Sequence, residues 1–189
     1  MGVSIPTVPQ PFLIVVTGRP GAGKSTLAHL VARSVRCPAI CRDEIKEGWV
    51  HTSGDVGTLG GEAARHVYGT FFDTLELLLG RGVSVVAEAA FQHGPWAARL
   101  EPLLAVARVR VIVCDAGPDI AAARRIDRHR ADPHRARFHP DPAVLAAIDG
   151  REPLACDYDP PRLAAPTLTV DTSAGYRPPL DDVIAFARG

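Results

Sequence analysis

Short apolar segments alternate with longer amphipathic ones along most of the chain. Five runs are short, continuous and rich in branched apolar residues, a pattern that indicates strands buried on both faces. The stretches between them carry apolar residues at helical spacing, for example Leu27, Leu30 and Val31 within residues 24–34. Strands that alternate with helices predict an α/β fold in which helices cover both faces of a parallel sheet. The predicted strands are FLIVV, CPAICR, VSVVAEAA, RVRVIVCD and PTLTVDTS.

Three features interrupt this alternation. Residues 1–10 contain Pro6 and Pro9 and are predicted to form a flexible arm, so that a single domain covers residues 11–189. The Gly-rich connector HTSGDVGTLGG is predicted to be mobile. Within the helical stretch GPWAARLEPLLAVA, Pro102 is expected to kink or split the helix.

The first predicted strand runs directly into GRPGAGKST, residues 18–26. Its spacing matches the phosphate-binding P-loop, and the strand before it and the helix after it supply the required context. Glycines in such a loop let backbone N–H groups converge on an anion. Lys24 is expected to reach the β- and γ-phosphates of a nucleotide, and the Ser25 hydroxyl to bind Mg²⁺. The predicted nucleotide site comprises Gly21, Ala22, Gly23, Lys24, Ser25 and Thr26.

Two acidic residues are predicted at the ends of neighbouring strands, where open α/β sheets bind their ligands. Asp43 follows the second strand, and Glu88 ends the apolar part of the third. Phosphoryl transfer to an alcohol needs a base for the hydroxyl proton, so Asp43 is the predicted catalytic base. Its alternative role is to cap the next helix, and Glu44 is a second candidate base. Glu88 is expected near the magnesium ion, through water, or on the acceptor hydroxyl, with a purely structural carboxylate as the alternative.

A basic stretch near residue 130 is the second strong feature of the sequence. Arg124 and Arg128 are one helical turn apart, and both are predicted to neutralise phosphate charge, Arg128 as a catalytic residue. The proline-broken basic loop that follows is predicted to be a closing lid over about residues 128–142. A solvated basic helix or a nucleic-acid patch is the alternative.

Overall composition narrows the possible classes of protein. The formal net charge is zero, so no broad basic field attracts nucleic acid. No run approaches eighteen apolar residues and no signal peptide is recognisable, which predicts a cytoplasmic protein that is neither secreted nor membrane-spanning. The four cysteines show no metal or redox spacing, and the lid histidines show no ligand spacing with them, so reduced core thiols are expected.

Lysine is rare in this chain. Of the 21 basic residues, only Lys24 and Lys46 are lysine, and Arg, Ala, Gly and Pro are abundant, as a bias toward GC-rich codons would produce. A lysine that persists against such a bias is a mild indication of a specific role. Chance retention is the alternative for Lys46.

These motifs together resemble those of the AAA_33-type P-loop kinases, which include the kinase domain of phage polynucleotide kinase. The resemblance rests on GRPGAGKST, CRDEIK, VVAEAAF and the arginine pair with its lid. Chloramphenicol phosphotransferase and zeta-type toxins are similar more distantly. The resemblance implies a P-loop NTPase fold with a five-stranded parallel sheet in the order 2-3-1-4-5. It also implies that Asp43 is the base, that Arg124 and Arg128 hold ATP phosphates, and that Lys46 and Glu88 replace an Arg and an Asp of the polynucleotide kinase motif.

The function favoured by the sequence is an ATP- and Mg²⁺-dependent transfer of the γ-phosphate to a hydroxyl of a small molecule, a metabolite or an antibiotic. Arg42, Asp43, Lys46 and Glu88 are the predicted acceptor-binding residues. A polynucleotide 5′-hydroxyl kinase is the first alternative, which the replacements at Lys46 and Glu88 disfavour. A nucleoside monophosphate kinase and a non-enzymatic nucleotide switch are the others. The sequence leaves open the acceptor, the choice between ATP and GTP, and the oligomeric state.

Overall fold

A computed structural model of the chain describes residues 9–53, 61–132, 134–154 and 157–189. Most of the predicted arm and residues 54–60 of the Gly-rich connector lie outside these ranges, so the expectations for both stay predictions. Among the described residues, no helix has both the length and the apolar character needed to cross a bilayer.

One parallel sheet organises the described residues, and its strand order is β2-β3-β1-β4-β5, as predicted. Val16 of the central strand pairs with Glu88, which also pairs with Cys41 of the neighbouring edge strand. Because the strands are parallel, the segments that follow β1, β2 and β3 meet at one edge of the sheet. The strands are β1 (Phe12–Gly18), β2 (Ala39–Cys41), β3 (Val85–Glu88), β4 (Arg108–Asp115) and β5 (Thr167–Asp171).

Helices cover the two faces of the sheet and bury a core on each. Side chains of a strand alternate between faces, so Leu13 and Val15 of β1 enter one core, and Ile14 and Val16 enter the other. The first core is closed by α3 and α4, the second by α1 and α8. The helices are α1 (Lys24–Val35), α2 (Arg42–Ser53), α3 (Gly61–Gly80), α4 (His93–Leu100), α5 (Pro118–Ala131), α6 (Arg135–Phe138), α7 (Pro142–Ile148) and α8 (Leu180–Arg188).

Two element boundaries bear on the predictions. Helix α2 begins at Arg42, immediately after β2, so Asp43 lies inside the first turn of the helix and not at its N-cap. The chain enters the helix without an intervening loop residue, which leaves no separate capping position for Asp43. The break expected at Pro102 is confirmed, because α4 ends at Leu100 and a 3-10 helix, Glu101–Ala105, follows it.

Candidate active site

The loop between β1 and α1 is tightly packed on one side and open on the other. Gly21 and Gly23 have φ angles of +90° and +78°, which disfavour any other residue. A Cβ atom at Gly21 would lie 2.2 Å from the carbonyl oxygen of Ala121 in α5, whereas a Cβ atom at Gly23 would meet nothing within 4 Å. Gly23 is also the N-cap residue of α1, so the positive end of this helix faces open space suited to an anion.

Ala22, predicted as part of the nucleotide site, is placed differently from its neighbours. Its methyl group is fully buried in the core, and its backbone N–H donates to the carbonyl oxygen of Arg19 at 3.1 Å. The same carbonyl accepts a hydrogen bond of 3.2 Å from Nζ of Lys24. Ala22 therefore holds the shape of the loop in this structure.

Lys24 and Ser25 both contact one buried carboxylate, that of Glu88 at the end of β3. Nζ of Lys24 lies 3.9 Å from Oε1 of Glu88, and Oγ of Ser25 donates to Oε2 at 3.0 Å. Burial raises the pKa of Glu88, an effect that the charge of Lys24 opposes and that of Asp43 reinforces. The Ser25 hydroxyl and the Glu88 carboxylate are oxygen donors of the kind that Mg²⁺ prefers, so the residues present fit this ion.

Asp43 lies in the same cleft as Lys24, and its side chain is 51% exposed. Nη1 of Arg42 is 3.2 Å from its Oδ1. Burial in the cleft raises the pKa of Asp43, but the nearby charges of His139, Arg42, Lys24 and Lys46 outweigh this effect and hold the pKa below its ordinary value. Asp43 is therefore a carboxylate at neutral pH and can accept a proton.

The arginines of α5 contact different parts of the structure. Nη2 of Arg124 donates to the carbonyl oxygens of Thr172 and Ser173, at 2.9 Å each, and so joins α5 to the loop after β5. Arg125 points toward the predicted lid segment, about residues 128–142, where its Nη2 lies 2.6 Å from Oδ2 of Asp141. Arg128, one turn beyond Arg124, lines the cleft together with the P-loop.

The lid segment is also connected to α2. Nε2 of His139 lies 2.6 Å from Oε1 of Glu47, and the His139 side chain is only 13% exposed. Asp141 has two contacts, because its Oδ1 accepts a hydrogen bond of 3.2 Å from the backbone N–H of Val144 in α7 while its Oδ2 contacts Arg125. His139, one of the predicted lid histidines, thus forms a partly buried contact between the lid segment and the helix that carries Asp43.

Two adjoining cavities, each of about 510 Å³, are lined in part by the P-loop. The first contains most of the predicted site, and Trp96 is part of its wall. Arg124 lines the second, with Tyr176 and Thr172. Predicted residues that line the first cavity are Gly21, Gly23, Lys24, Ser25, Thr26, Arg42, Asp43, Lys46, Glu88 and Arg128. Gly21, Gly23, Thr26 and Arg128 line both cavities.

Sequence reasoning missed two residues, Thr172 and Tyr158, which form hydrogen bonds with the P-loop and with the end of the strand before it. Oγ1 of the buried Thr172 donates to the carbonyl oxygen of Ala22 at 2.8 Å. The hydroxyl of Tyr158 forms a hydrogen bond with Oγ1 of Thr17, near the end of β1. Thr172 follows β5 directly, and this position at the carboxyl end of a strand was the one available signal for it.

Comparison with known proteins places this geometry in a family. The model of the AAA_33 family, described as an AAA domain, matches residues 13–153. No curated protein matches the chain at a significant level. A solved structure of a proposed kinase from Chloroflexus aurantiacus J-10-fl is 29% identical, with a TM-score of 0.74, and covers 95% of this chain and 97% of its own.

Two further solved structures share the fold at lower identity. The APS kinase of Mycobacterium tuberculosis, in complex with AMPPNP and APS, is 18% identical with a TM-score of 0.60, covering 96% of this chain and 99% of its own. A gluconokinase from Sinorhizobium meliloti 1021 is 20% identical with a TM-score of 0.52, covering 94% and 90%. The sheet order, the P-loop and the family match agree, and the chain belongs to the AAA_33 family and has the fold of P-loop kinases.

Proposed function

We propose that the protein transfers the γ-phosphate of ATP to a hydroxyl group of a small molecule, with Asp43 as the general base. The observation that carries this proposal is the position of Asp43, half exposed in the cleft that Lys24 and Ser25 also line. Its lowered pKa keeps it ionised at neutral pH, as a base must be. The shared fold with a gluconokinase and an APS kinase supports small-molecule phosphorylation as the class of reaction.

The phosphates of ATP would lie over the P-loop. Lys24 and Arg128 both line the first cavity, where their charges would neutralise the transferred phosphoryl group. Arg124 donates to two carbonyl oxygens and lines the second cavity, so it would form the wall against the rest of the nucleotide and reach phosphate only by giving up those bonds.

Mg²⁺ would be held by the Ser25 hydroxyl, with Glu88 acting through a water molecule. When bound, the ion neutralises charge on the phosphate oxygens and orients them. Glu88 is nearly inaccessible, and its Oε2 accepts the hydrogen bond of Ser25, so this carboxylate orients the Ser25 hydroxyl. An orienting partner of this kind is a common requirement of metal sites.

The acceptor would bind beside Asp43. As its oxygen forms a bond to the γ-phosphorus, the bond from that phosphorus to the bridging oxygen of ADP breaks, and Asp43 takes the hydroxyl proton. Arg42 and Lys46 lie one helical turn apart on α2 and line the same cavity. Their charges favour an acceptor that carries an anionic group near the reacting hydroxyl, and Trp96 adds an aromatic wall.

A γ-phosphate transfer screen tests this proposal. The protein is incubated with Mg-ATP and pooled nucleosides, sugars, sugar acids, aminoglycosides, other hydroxylated antibiotics and 5′-hydroxyl oligonucleotides, and products are identified by mass. We expect one class of small molecule to gain a phosphate. Asp43→Asn should lower kcat by about 10²- to 10⁴-fold, the range typical of general-base removal, while nucleotide affinity is retained.

Asp119→Asn is the matched control. Asp119 is exposed and lies in the first turn of α5, so the variant removes an equivalent interaction with a helix dipole without touching the cleft. It should leave the rate of transfer unchanged. Phosphorylation of oligonucleotides alone would replace the proposal with a polynucleotide kinase. Tight nucleotide binding with no acceptor would replace it with a nucleotide switch.

A further inference from the structure

Three side chains of different chemistry meet beside the active site without lining either cavity. They are His29 of α1, Cys41 at the end of β2 and Glu44 in the first turn of α2. Nε2 of His29 lies 2.7 Å from Oε1 of Glu44 and 3.7 Å from Sγ of Cys41. The three atoms all lie within 4.8 Å of one another.

We propose that His29, Cys41 and Glu44 form a binding site for a thiophilic divalent cation of the Zn²⁺ type. Imidazole, thiolate and carboxylate are the three common protein ligands of this ion. Two ligands of a tetrahedral zinc ion, at about 2.3 Å for sulfur and 2.0–2.1 Å for nitrogen, lie roughly 3.5 Å apart. The distance between Cys41 and His29 is close to this value. A hard ion such as Mg²⁺ does not select sulfur, so this site differs in kind from the one at Ser25.

The three ligands differ in exposure in a way that suits metal entry. Cys41 is buried and fixed by the pairing of β2, whereas the side chains of His29 and Glu44 are 43% and 54% exposed. The exposed pair can open from hydrogen-bond distance to ligand distance by small rotations, because an exposed ion pair contributes only about 0–1 kcal/mol. Solvent on this side would supply the fourth ligand as water.

Charge at the site favours a cation as well. The Glu44 carboxylate belongs to the cluster, and Glu88 pairs with Cys41 across β2 and β3, so two acidic residues lie beside the thiol. Metal binding replaces the thiol proton by the metal and releases that proton to solvent. The spacing of the three residues in the sequence, with intervals of 12 and 3 positions, matches no common zinc motif, so only the fold brings the ligands together.

A bound ion would connect three elements that organise the active site. Helix α1 begins at Lys24 of the P-loop, and the first turn of α2 carries Asp43. Coordination by His29, Cys41 and Glu44 would fix the start of α2 against α1 and so restrain the candidate base relative to the phosphate loop. The proposal stands without the kinase activity, because it concerns metal binding by the free protein.

Cobalt spectroscopy tests the site directly. The full chain is reduced, freed of metal with a chelator and titrated with Co²⁺ in the absence of nucleotide and Mg²⁺. We expect one ion per chain, visible absorption of tetrahedral cobalt, and a near-ultraviolet thiolate-to-cobalt charge-transfer band that Zn²⁺ abolishes by displacement. Cys41→Ser should lose the charge-transfer band and weaken Zn²⁺ binding by more than about tenfold. Cys37→Ser, which changes a partly buried thiol outside the cluster, should keep both.

Two exposed substitutions keep the test decisive if Cys41→Ser is poorly folded. His29→Gln and Glu44→Gln change partly exposed side chains and should each weaken Zn²⁺ binding at least about tenfold with unchanged circular dichroism. The proposal is overturned if the wild-type protein shows no charge-transfer band. It is also overturned if the band persists in Cys41→Ser, or if both glutamine variants keep the Zn²⁺ affinity of the wild-type protein.

Discussion

Nζ of Lys24 lies 3.9 Å from Oε1 of Glu88, and Oε2 of the same carboxylate accepts the Ser25 hydrogen bond. One buried acidic residue thus contacts both P-loop side chains that are expected to meet nucleotide and metal. Burial raises the pKa of Glu88, so the stability associated with its protonated form is present at low pH and is lost as the pH rises through the raised pKa. Glu88 therefore has a cost for folding at neutral pH that a functional role would explain.

Glu88→Gln should separate that cost from the function. The amide keeps the shape and an acceptor for Ser25 but removes the buried charge, so the free energy of unfolding should be unchanged or rise by about 1 kcal/mol. Mg²⁺-dependent nucleotide binding and phosphate transfer should fall about 10- to 100-fold. Urea denaturation and nucleotide titration with and without Mg²⁺ measure the two effects. The control Glu76→Gln changes an exposed carboxylate and should alter neither stability nor nucleotide binding. A loss of more than about 2 kcal/mol of unfolding free energy in Glu88→Gln would instead show that the Glu88 carboxylate stabilises the fold.

Gly21 and Gly23 of the P-loop should respond differently to alanine. Both have positive φ angles, so alanine costs about 1–2 kcal/mol at either position. At Gly21 the new methyl group would also meet the Ala121 carbonyl at 2.2 Å, which adds about 1–3 kcal/mol. Gly21→Ala should therefore lower the free energy of unfolding more than Gly23→Ala does, as thermal denaturation would show. Gly23→Ala should mainly weaken nucleotide binding. Equal losses of stability in the two variants would show that α5 moves away from the new methyl group at Gly21 without a loss of stability.

The fold was predictable because it is determined largely by patterns within short stretches of the sequence. Buried strands, helical spacing and the P-loop each depend on residues that are close in sequence, and the family resemblance added the strand order. The approach of Asp43, Lys24 and Glu88 followed from the same rule, since parallel strands deliver their ends to one edge of the sheet. Topology alone was enough to bring these three residues together.

The partners of individual side chains were not predictable in this way. Arg124 and Arg125 are adjacent in sequence, yet one donates to Thr172 and the other contacts Asp141. Successive residues of a helix point about 100° apart, so each arginine meets whichever distant segment packs on its own side. The positions of those segments depend on loops that carry no periodic signal.

Tyr158→Phe tests one of these long-range contacts. The Tyr158 hydroxyl bonds to Oγ1 of the fully buried Thr17, which also contacts the carbonyl oxygen of Phe91. Burial raises the pKa of Tyr158 to about 12, so the phenol stays neutral at ordinary pH. The variant should lose about 1 kcal/mol of unfolding free energy, measured by urea denaturation. Tyr68→Phe, which removes an exposed hydrogen bond to Pro95, should lose less. A larger loss of unfolding free energy in Tyr68→Phe than in Tyr158→Phe would contradict the stabilising role of the Tyr158 hydrogen bond.

The contact between His139 and Glu47 leads to the last prediction, because it joins the lid segment to the helix that carries Asp43. His139→Ala removes a hydrogen bond to a charged group, worth about 1.5–3 kcal/mol, and tenfold in equilibrium corresponds to about 1.4 kcal/mol. We expect faster amide hydrogen exchange in α7 and, once an acceptor is known, at least tenfold lower kcat/KM with unchanged nucleotide affinity. His134→Ala, an exposed change in the same segment, should alter neither. If α7 exchanged its amide hydrogens at the wild-type rate in His139→Ala, the stability of the lid segment would not depend on this contact.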